Sequence, residues 1–281
     1  MVRAHLMRAA VLGSPVAHSL SPVLHAAAYA ALGLDGWTYG RVECHAADLP
    51  GFVASRGADW AGLSVTMPGK RAALTVADTV TRRARVVGAA NTLVRGGDGR
   101  WSADCTDVDG VVGALGSATG GSRLVILGAG GTAGAVVAAG AALGVEGVTV
   151  VVREPARAAD AVGVAEAVGL PARVTTFEAP GDLTDAAALV NTTPAGALDA
   201  VAPRLVAGLP ATATVLDAVY HPWPTPLAAA ATARGLRVAT GLDMLLWQAF
   251  GQVEQFTGRP APRAVMHSAL VAATGHPVAA P

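Results

Sequence analysis

One residue type is nearly missing from this chain, and its single occurrence marks a place to look for chemistry. Of 20 basic residues, 19 are arginine and one is lysine, Lys70. An ammonium can give up its proton when its surroundings tune it, whereas a guanidinium stays charged. A position that stays lysine against an arginine background is therefore a candidate for proton handling, although chance at a surface site would also produce it. Lys70 closes the polar cluster Ser64-Val65-Thr66-Met67-Pro68-Gly69-Lys70. Three similar clusters interrupt an otherwise apolar N-terminal region: Ser19-Leu20-Ser21, Asn91-Thr92 and Asp104-Cys105-Thr106-Asp107. Together they offer hydroxyls, an amide, a carboxylate and one ammonium. That set suits a small polyhydroxylated substrate and includes a proton donor for a carbonyl under reduction. Each cluster alone has a plainer reading, with Ser21 as a helix cap before Pro22, Asn91 as a turn residue and Asp107 as a helix start.

A second constellation follows. The aliphatic run Leu124-Val125-Ile126-Leu127 enters Gly128-Ala129-Gly130-Gly131-Thr132-Ala133-Gly134, with a helical run after it and a further strand about 20 residues on, a variant of the dinucleotide-binding fingerprint. Gly128 permits the tight turn, and Gly130 or Gly131 lets the backbone approach a pyrophosphate. Amides around Thr132 and Ala133 then face its charge, with Ala129 completing the turn. A βα turn that binds nothing is the alternative. The next strand ends in Val152-Arg153-Glu154-Pro155-Ala156-Arg157. Arg153 and Arg157 suit the 2′-phosphate of NADP, while Glu154 suits the 2′-hydroxyl of NAD or pairs with arginine in solvent. The two arginines favour NADP, with NAD as the alternative.

Holding these groups takes an alternating frame. Short β-branched runs near 9–12, 37–42, 62–65, 124–127, 148–152, 188–190, 214–216 and 237–239 alternate with alanine-rich helical stretches, the pattern of an α/β fold. A helix is expected from Ser21 to about Leu32, another from around Pro68–Lys70, and a hairpin about Gly96-Gly97-Asp98-Gly99. Amphipathic segments at 243–256 and 263–274 finish the chain. Two domains are expected: an N-terminal α/β substrate domain over residues 1–108, completed by helices of 241–281, and a Rossmann-like dinucleotide-binding domain over 109–240.

The totals exclude other classes. The 281 residues carry 20 acidic and 20 basic side chains and a pI near 7.1, which argues against nucleic acid or an anionic membrane as partner. With 52% hydrophobic and 14% charged residues, intrinsic disorder is excluded. A mean hydropathy of +0.46 and the uncharged stretch 124–145 raise a membrane span, but the glycines inside that stretch argue against it. The N-terminus lacks an apolar signal core. Two cysteines, Cys44 and Cys105, without a CxxC pair favour a reducing compartment and no structural metal.

Taken in order, GSPVAHSLSP (13–22), SVTMPGK (64–70), GAANTL (88–93), DCTD (104–107), GAGGTAG (128–134), NTTPAG (191–196), DAVYHPWPTP (217–226) and GLDMLLWQA (241–249) resemble the shikimate dehydrogenase family over nearly the whole chain. The resemblance implies a cytoplasmic enzyme, monomeric or homodimeric, that uses NADP to reduce 3-dehydroshikimate to shikimate in aromatic amino-acid biosynthesis. It assigns Ser19 and Ser21 to the substrate carboxylate, and Thr66, Asn91, Asp107 and Gln248 to ring hydroxyls. Lys70 and Asp107 become the catalytic pair, Tyr220 lies near the carboxylate, and Gly241 and Met244 border the nicotinamide. Five positions depart from the family pattern. Ser64 and Cys105 stand where asparagine is common, the Asn-Arg-Thr cofactor motif appears as Val152-Arg153-Glu154, and Asp243 replaces a usual glycine. An NAD-linked quinate/shikimate dehydrogenase, a paralogue acting on an aminated shikimate, and a non-catalytic metabolite sensor are the competing readings.

Overall fold

A computed structural model describes residues 6–116 and 122–281. The chain forms two compact units, one running up to Thr106 and joined by Leu245–Pro281, the other Asp107–Met244. The divisions at 106/107 and 244/245 compare with the 108/109 and 240/241 expected from the sequence.

The first unit runs β1 (Met7–Gly13), α1 (Ser21–Ala31), β2 (Trp37–Glu43), α2 (Leu49–Ala54), β3 (Trp60–Val65), α3 (Ala72–Val76), β4 (Thr79–Val80), α4 (Arg82–Val87), β5 (Thr92–Arg95) and β6 (Trp101–Asp104). Its mixed sheet has the order β2-β1-β3-β5-β6-β4. Strand β1 lies parallel to β2 and β3, whereas β5 runs antiparallel to β3 and β6. The carboxyl ends of β1, β3 and β6 and the start of β5 therefore share one edge, and all four polar clusters sit there. Every residue of β3 is buried, whereas β2 alternates in exposure at the sheet's margin.

The second unit contains α5 (Asp107–Leu115), β7 (Arg123–Leu127), α6 (Ala133–Leu143), β8 (Gly147–Val152), a 3-10 turn (Pro155–Ala158), α7 (Ala159–Ala167), β9 (Ala172–Thr176), β10 (Ala186–Asn191), α8 (Ala202–Ala207), β11 (Thr214–Asp217), α9 (Pro226–Ala233) and β12 (Arg237–Thr240). The sheet order is β12-β11-β10-β7-β8-β9, all parallel. Direction of travel reverses between β7 and β10, the switch point where doubly wound sheets take ligands. Strands β8 and β10 are buried throughout, as their unbroken aliphatic runs require. Helix α6 packs seven of its eleven residues out of solvent. Burial inside this layer accounts for the hydropathy that suggested a span, and among the described residues no helix is long and apolar enough to cross a membrane.

The last helices are α10 (Gly241–Thr257) and α11 (Arg263–Thr274). Within the first unit, Phe256 of α10 covers Gly62, where any Cβ would stand 2.2 Å from the ring. Two local expectations need correction. Residues 67–71 form turns, and α3 starts only at Ala72, so Lys70 sits in a turn. Ser21 is the first residue of α1 and does not cap it; Leu20 holds the cap position without a side-chain bond. Pro22 needs no amide partner at this depth in the first turn, so a cap there has less to satisfy. Edge strand β9 had no counterpart among the expected strands, because its half-exposed ARVTT lacks a continuous apolar run.

Candidate active site

Backbone hydrogen bonds tie the ends of β1, β3 and β6 and the start of β5 together in the first unit. Thr66 N donates to Leu12 O at 2.8 Å, Ser14 N to Met67 O at 2.9 Å, and Ala90 N to Lys70 O at 2.8 Å. Asn91 N donates to Asp104 O at 3.1 Å, while Asn91 O receives Val65 N at 2.7 Å. Gly13 makes the first crossing, since a Cβ there would stand 2.3 Å from the Thr66 methyl. Ser19 and Ser21 follow β1; Ser21 N donates to Ser19 Oγ at 3.3 Å, and Arg41 pins Ser19 O through Nε at 2.9 Å and Nη2 at 2.6 Å.

Asn91 is the hub. Its Nδ2 donates to Thr106 Oγ1 at 2.9 Å and to Gln248 Oε1 at 3.2 Å, and its Oδ1 accepts from Thr106 N at 2.8 Å and Thr92 Oγ1 at 2.8 Å. Asn91, Thr106 and Gln248 are all buried. A buried polar cluster of this kind is tolerable only because its members satisfy one another. Asp104 supports it from behind. Burial pushes its carboxyl up, but hydrogen bonds from Arg83 and Thr81 outweigh that and hold it at about 2. Thr81 Oγ1 and Arg83 Nε each reach Oδ1 at 2.7 Å, and the Arg83 Nη2 pairs with Oδ2. Lys70 is half-buried in the first unit, and the buried Asp107 opens α5 as the first residue of the second.

In the second unit the predicted cofactor residues stand on the carboxyl edge of the parallel sheet. Gly128 has φ +97°, and a Cβ on it would come within 2.9 Å of the Thr193 methyl and 3.0 Å of Thr192 Oγ1, so only glycine fits. Ala129, Gly130, Gly131 and Thr132 follow, with Gly130 and Gly131 exposed, and no side chain caps α6 before the buried Ala133. A glycine turn leading into a helix start is a set of residues that fits a dinucleotide pyrophosphate. Arg153, Glu154 and Arg157 are exposed just past β8, the strand next to β7. Arg157 N donates to Glu154 O at 3.0 Å, closing the turn that presents them. Past β10 and β11, buried Asp217 accepts from Asn191 Nδ2 at 2.8 Å, Thr225 Oγ1 at 2.6 Å and Val219 N at 3.0 Å. Burial still pushes its pKa up against these bonds. Tyr220 lies in the loop so fixed, and Gly241 packs so tightly that a Cβ would meet Ala218 O at 2.2 Å and Tyr220 Cδ1 at 3.0 Å. Met244 is buried one turn further along α10.

A shikimate dehydrogenase of Methylobacterium radiotolerans, named as NADP(+)-dependent, is 42% identical to this chain over 91% of it and 93% of the relative. This chain belongs to the shikimate dehydrogenase family. The family model described as the shikimate dehydrogenase substrate binding domain matches residues 11–93, and that for the shikimate 5′-dehydrogenase C-terminal domain matches 241–271. The crystal structure of Mycobacterium tuberculosis shikimate dehydrogenase superposes with a TM-score of 0.87 at 53% identity, covering 95% of this chain and 99% of that one. The shikimate 5-dehydrogenase of Thermus thermophilus, solved in complex with NADP(H) and shikimate, gives 0.83 at 36% identity over 95% and 99%.

Against the family pattern the departures acquire structural roles. Asp243 Oδ2 accepts from Thr240 N at 2.7 Å while Thr240 Oγ1 accepts from Asp243 N at 3.3 Å, a capping box that starts α10. Cys105 is fully buried behind the site. Ser64 Oγ accepts from Tyr39 Oη at 2.6 Å and donates to Gln252 Oε1 at 2.7 Å. Tyr39, Arg41, Arg83, Gln252 and Gln255 were not among the residues singled out from sequence. One signal was available for the glutamines: Gln248, Gln252 and Gln255 are spaced four and three apart, a polar stripe along one face of an apolar helix.

Proposed function

We propose that this chain catalyses the reversible NADP-dependent reduction of 3-dehydroshikimate to shikimate. The observation that carries the reading is the convergence of Ser19, Ser21, Thr66, Lys70, Asn91 and Gln248 on one edge of the first unit's sheet. Hydroxyls of Ser19 and Ser21 suit a carboxylate, and the Asn91 and Gln248 amides suit ring hydroxyls, which would replace part of their mutual bonding. When bound, the reduced cofactor supplies a hydride to the carbonyl carbon. Lys70 gives the carbonyl oxygen a proton as negative charge grows on it, with Asp107 as its carboxylate partner and a reader of a ring hydroxyl. Thr66 takes a further hydroxyl, and Tyr220 the carboxylate side. On the cofactor, Gly128–Ala133 hold the pyrophosphate, Arg153 and Arg157 the 2′-phosphate, and Gly241 and Met244 border the nicotinamide. Two buried cysteines, neither in a disulfide, support a cytoplasmic setting.

The test is absorbance at the reduced-nicotinamide band with shikimate and quinate, each against NADP⁺ and NAD⁺. Turnover with shikimate and NADP⁺ far above the other pairs is expected. A preference for quinate or NAD⁺ would move the enzyme to the quinate branch, with Glu154 as ribose reader. No turnover by folded protein with any pair overturns the proposal in favour of an aminated substrate or a silent sensor.

A further inference from the structure

Three side chains outside the set assigned to ligands form a chain that ends on one of its members, Asn91. Tyr39 Oη donates to Ser64 Oγ at 2.6 Å, and Ser64 passes its one proton to Gln252 Oε1 at 2.7 Å. Gln252 Nε2 then donates to Asn91 O and to Thr92 Oγ1, both at 3.1 Å. Thr92 Oγ1 in turn donates to Asn91 Oδ1 at 2.8 Å, so Gln252 holds Asn91 by its carbonyl directly and by its side chain through one hydroxyl. At the other end of the chain, burial raises the Tyr39 phenol's pKa, so the phenol stays a donor to Ser64.

A donor count shows what these groups are for. The two amide protons of Gln252 go to Asn91 and Thr92, and its oxygen takes the Ser64 proton. Ser64 has no second proton to offer. Every side-chain proton of Ser64 and Gln252 is thus committed within the chain. Tyr39 is fixed in plane by His25, stacked at 3.9 Å between centroids and 14° between planes, with Phe256 behind at 5.7 Å from His25. A phenol clamped in this way delivers its proton in one direction.

We propose that Tyr39, Ser64 and Gln252 are positioning residues that fix Asn91, and so the place where the substrate's ring hydroxyls are read. The inference rests on the proposed assignment of Asn91 to substrate. Breaking the chain loosens Asn91 in a rigid ligand's site, which weakens substrate capture while leaving the cofactor's site and the proton donor in place.

The experiment compares Tyr39→Phe, Ser64→Ala, Gln252→Met and the Tyr39→Phe/Gln252→Met double variant, with Asn91→Ala as control, for KM of shikimate, KM of NADP⁺, kcat and Tm. Loss of a link in a buried hydrogen-bond chain should raise the shikimate KM by about tenfold. The NADP⁺ KM should stay unchanged and kcat within about threefold. The double variant should be no worse than the worse single one, because both cut the same chain. A purely structural role would lower Tm and the active fraction without moving KM, and that result overturns the proposal, as does additivity in the double variant. If Asn91→Ala also leaves the shikimate KM unchanged, the assignment of Asn91 itself falls and the inference with it. Should Gln252→Met fail to fold, Tyr39→Phe and Ser64→Ala, each lacking one oxygen, carry the same comparison.

Discussion

Gln255 Nε2 donates to Asp104 Oδ2 at 2.7 Å, fastening the last turn of α10 to the end of β6 across 151 positions of sequence. It is the last of three glutamines on one face of that helix. Gln248 reaches the Asn91 amide, Gln252 reaches Asn91, Thr92 and Ser64, and Gln255 reaches the carboxylate beneath them. Helix α10 thus presses a polar seam onto the edge of the sheet, where buried amides and hydroxyls need partners that water cannot provide.

The foundation of that seam should show in acid. Arg83 and Thr81 hold Asp104 at about 2 against burial, below the ordinary carboxyl value of 3.8. Its contribution is therefore complete above about pH 4 and lost as pH falls toward 2, a loss on the order of 2 kcal/mol. His25 acts in a higher window. Burial lowers it from 6.5 to about 3, with Gln252 pulling weakly upward, so the folded chain refuses a proton that the unfolded chain accepts. Stability should fall from pH 6.5 downward by up to about 1.4 kcal/mol per pH unit. Urea unfolding against pH separates the two. His25→Phe should flatten the slope between pH 6.5 and 4, and Asp104→Asn should flatten only the part below. An unchanged upper slope in His25→Phe would rule out the assignment of that window.

Lys70 occupies a turn whose carbonyl is held by Ala90 N at 2.8 Å, so its backbone stays in place when its side chain is changed. Lys70→Ala should lower kcat on the order of 10²–10⁴-fold with little change in the shikimate KM. Lys70→Arg keeps the charge but not a transferable proton, and should be nearly as slow. Steady-state absorbance assays on both variants give the answer: near-normal kcat in Lys70→Arg would mean that charge alone suffices.

Asp243 gives a test read in stability. It closes the capping box with Thr240 at the start of α10. Asp243→Ala should cost about 0.5–2 kcal/mol in chemical denaturation. An unchanged midpoint would show that the cap contributes nothing to the helix.

What the sequence made legible follows from the range of each signal. The glycine turn, the alternating aliphatic runs and the polar clusters at their ends are local, and the strands flanking them lie where periodicity put them. Ser21 reads as a cap because a serine before a proline looks the same whether or not its hydroxyl turns to the backbone. In the folded protein it makes no capping bond. Tyr39, Arg83 and Gln252 escape notice because their partners lie 25, 21 and up to 188 positions away, separations at which spacing carries no information. The glutamine stripe of α10 is the one long-range feature with a local signature.

In the proposed reading, cofactor choice falls on three exposed side chains. Arg153 and Arg157 bracket Glu154 in the turn after β8, and Arg157 N closes that turn on Glu154 O at 3.0 Å. A 2′-phosphate carries up to two charges, so arginines there gain charge-assisted hydrogen bonds that a 2′-hydroxyl cannot return. A carboxylate in the same turn repels the phosphate and welcomes the hydroxyl. Two guanidinium groups against one carboxylate leave the balance with NADP, but by a narrower margin than two arginines alone would give. Arg153→Ala and Arg157→Ala should each raise the KM for NADP⁺ by about tenfold or more while leaving NAD⁺ nearly unchanged. Glu154→Thr should move the other way, lowering the NADP⁺ KM and raising that for NAD⁺. Steady-state kinetics of the three variants with both cofactors measure the ratio directly. A rise in both KM values together would mean that the arginines hold a feature common to the two cofactors, and the 2′-phosphate assignment would have to be abandoned.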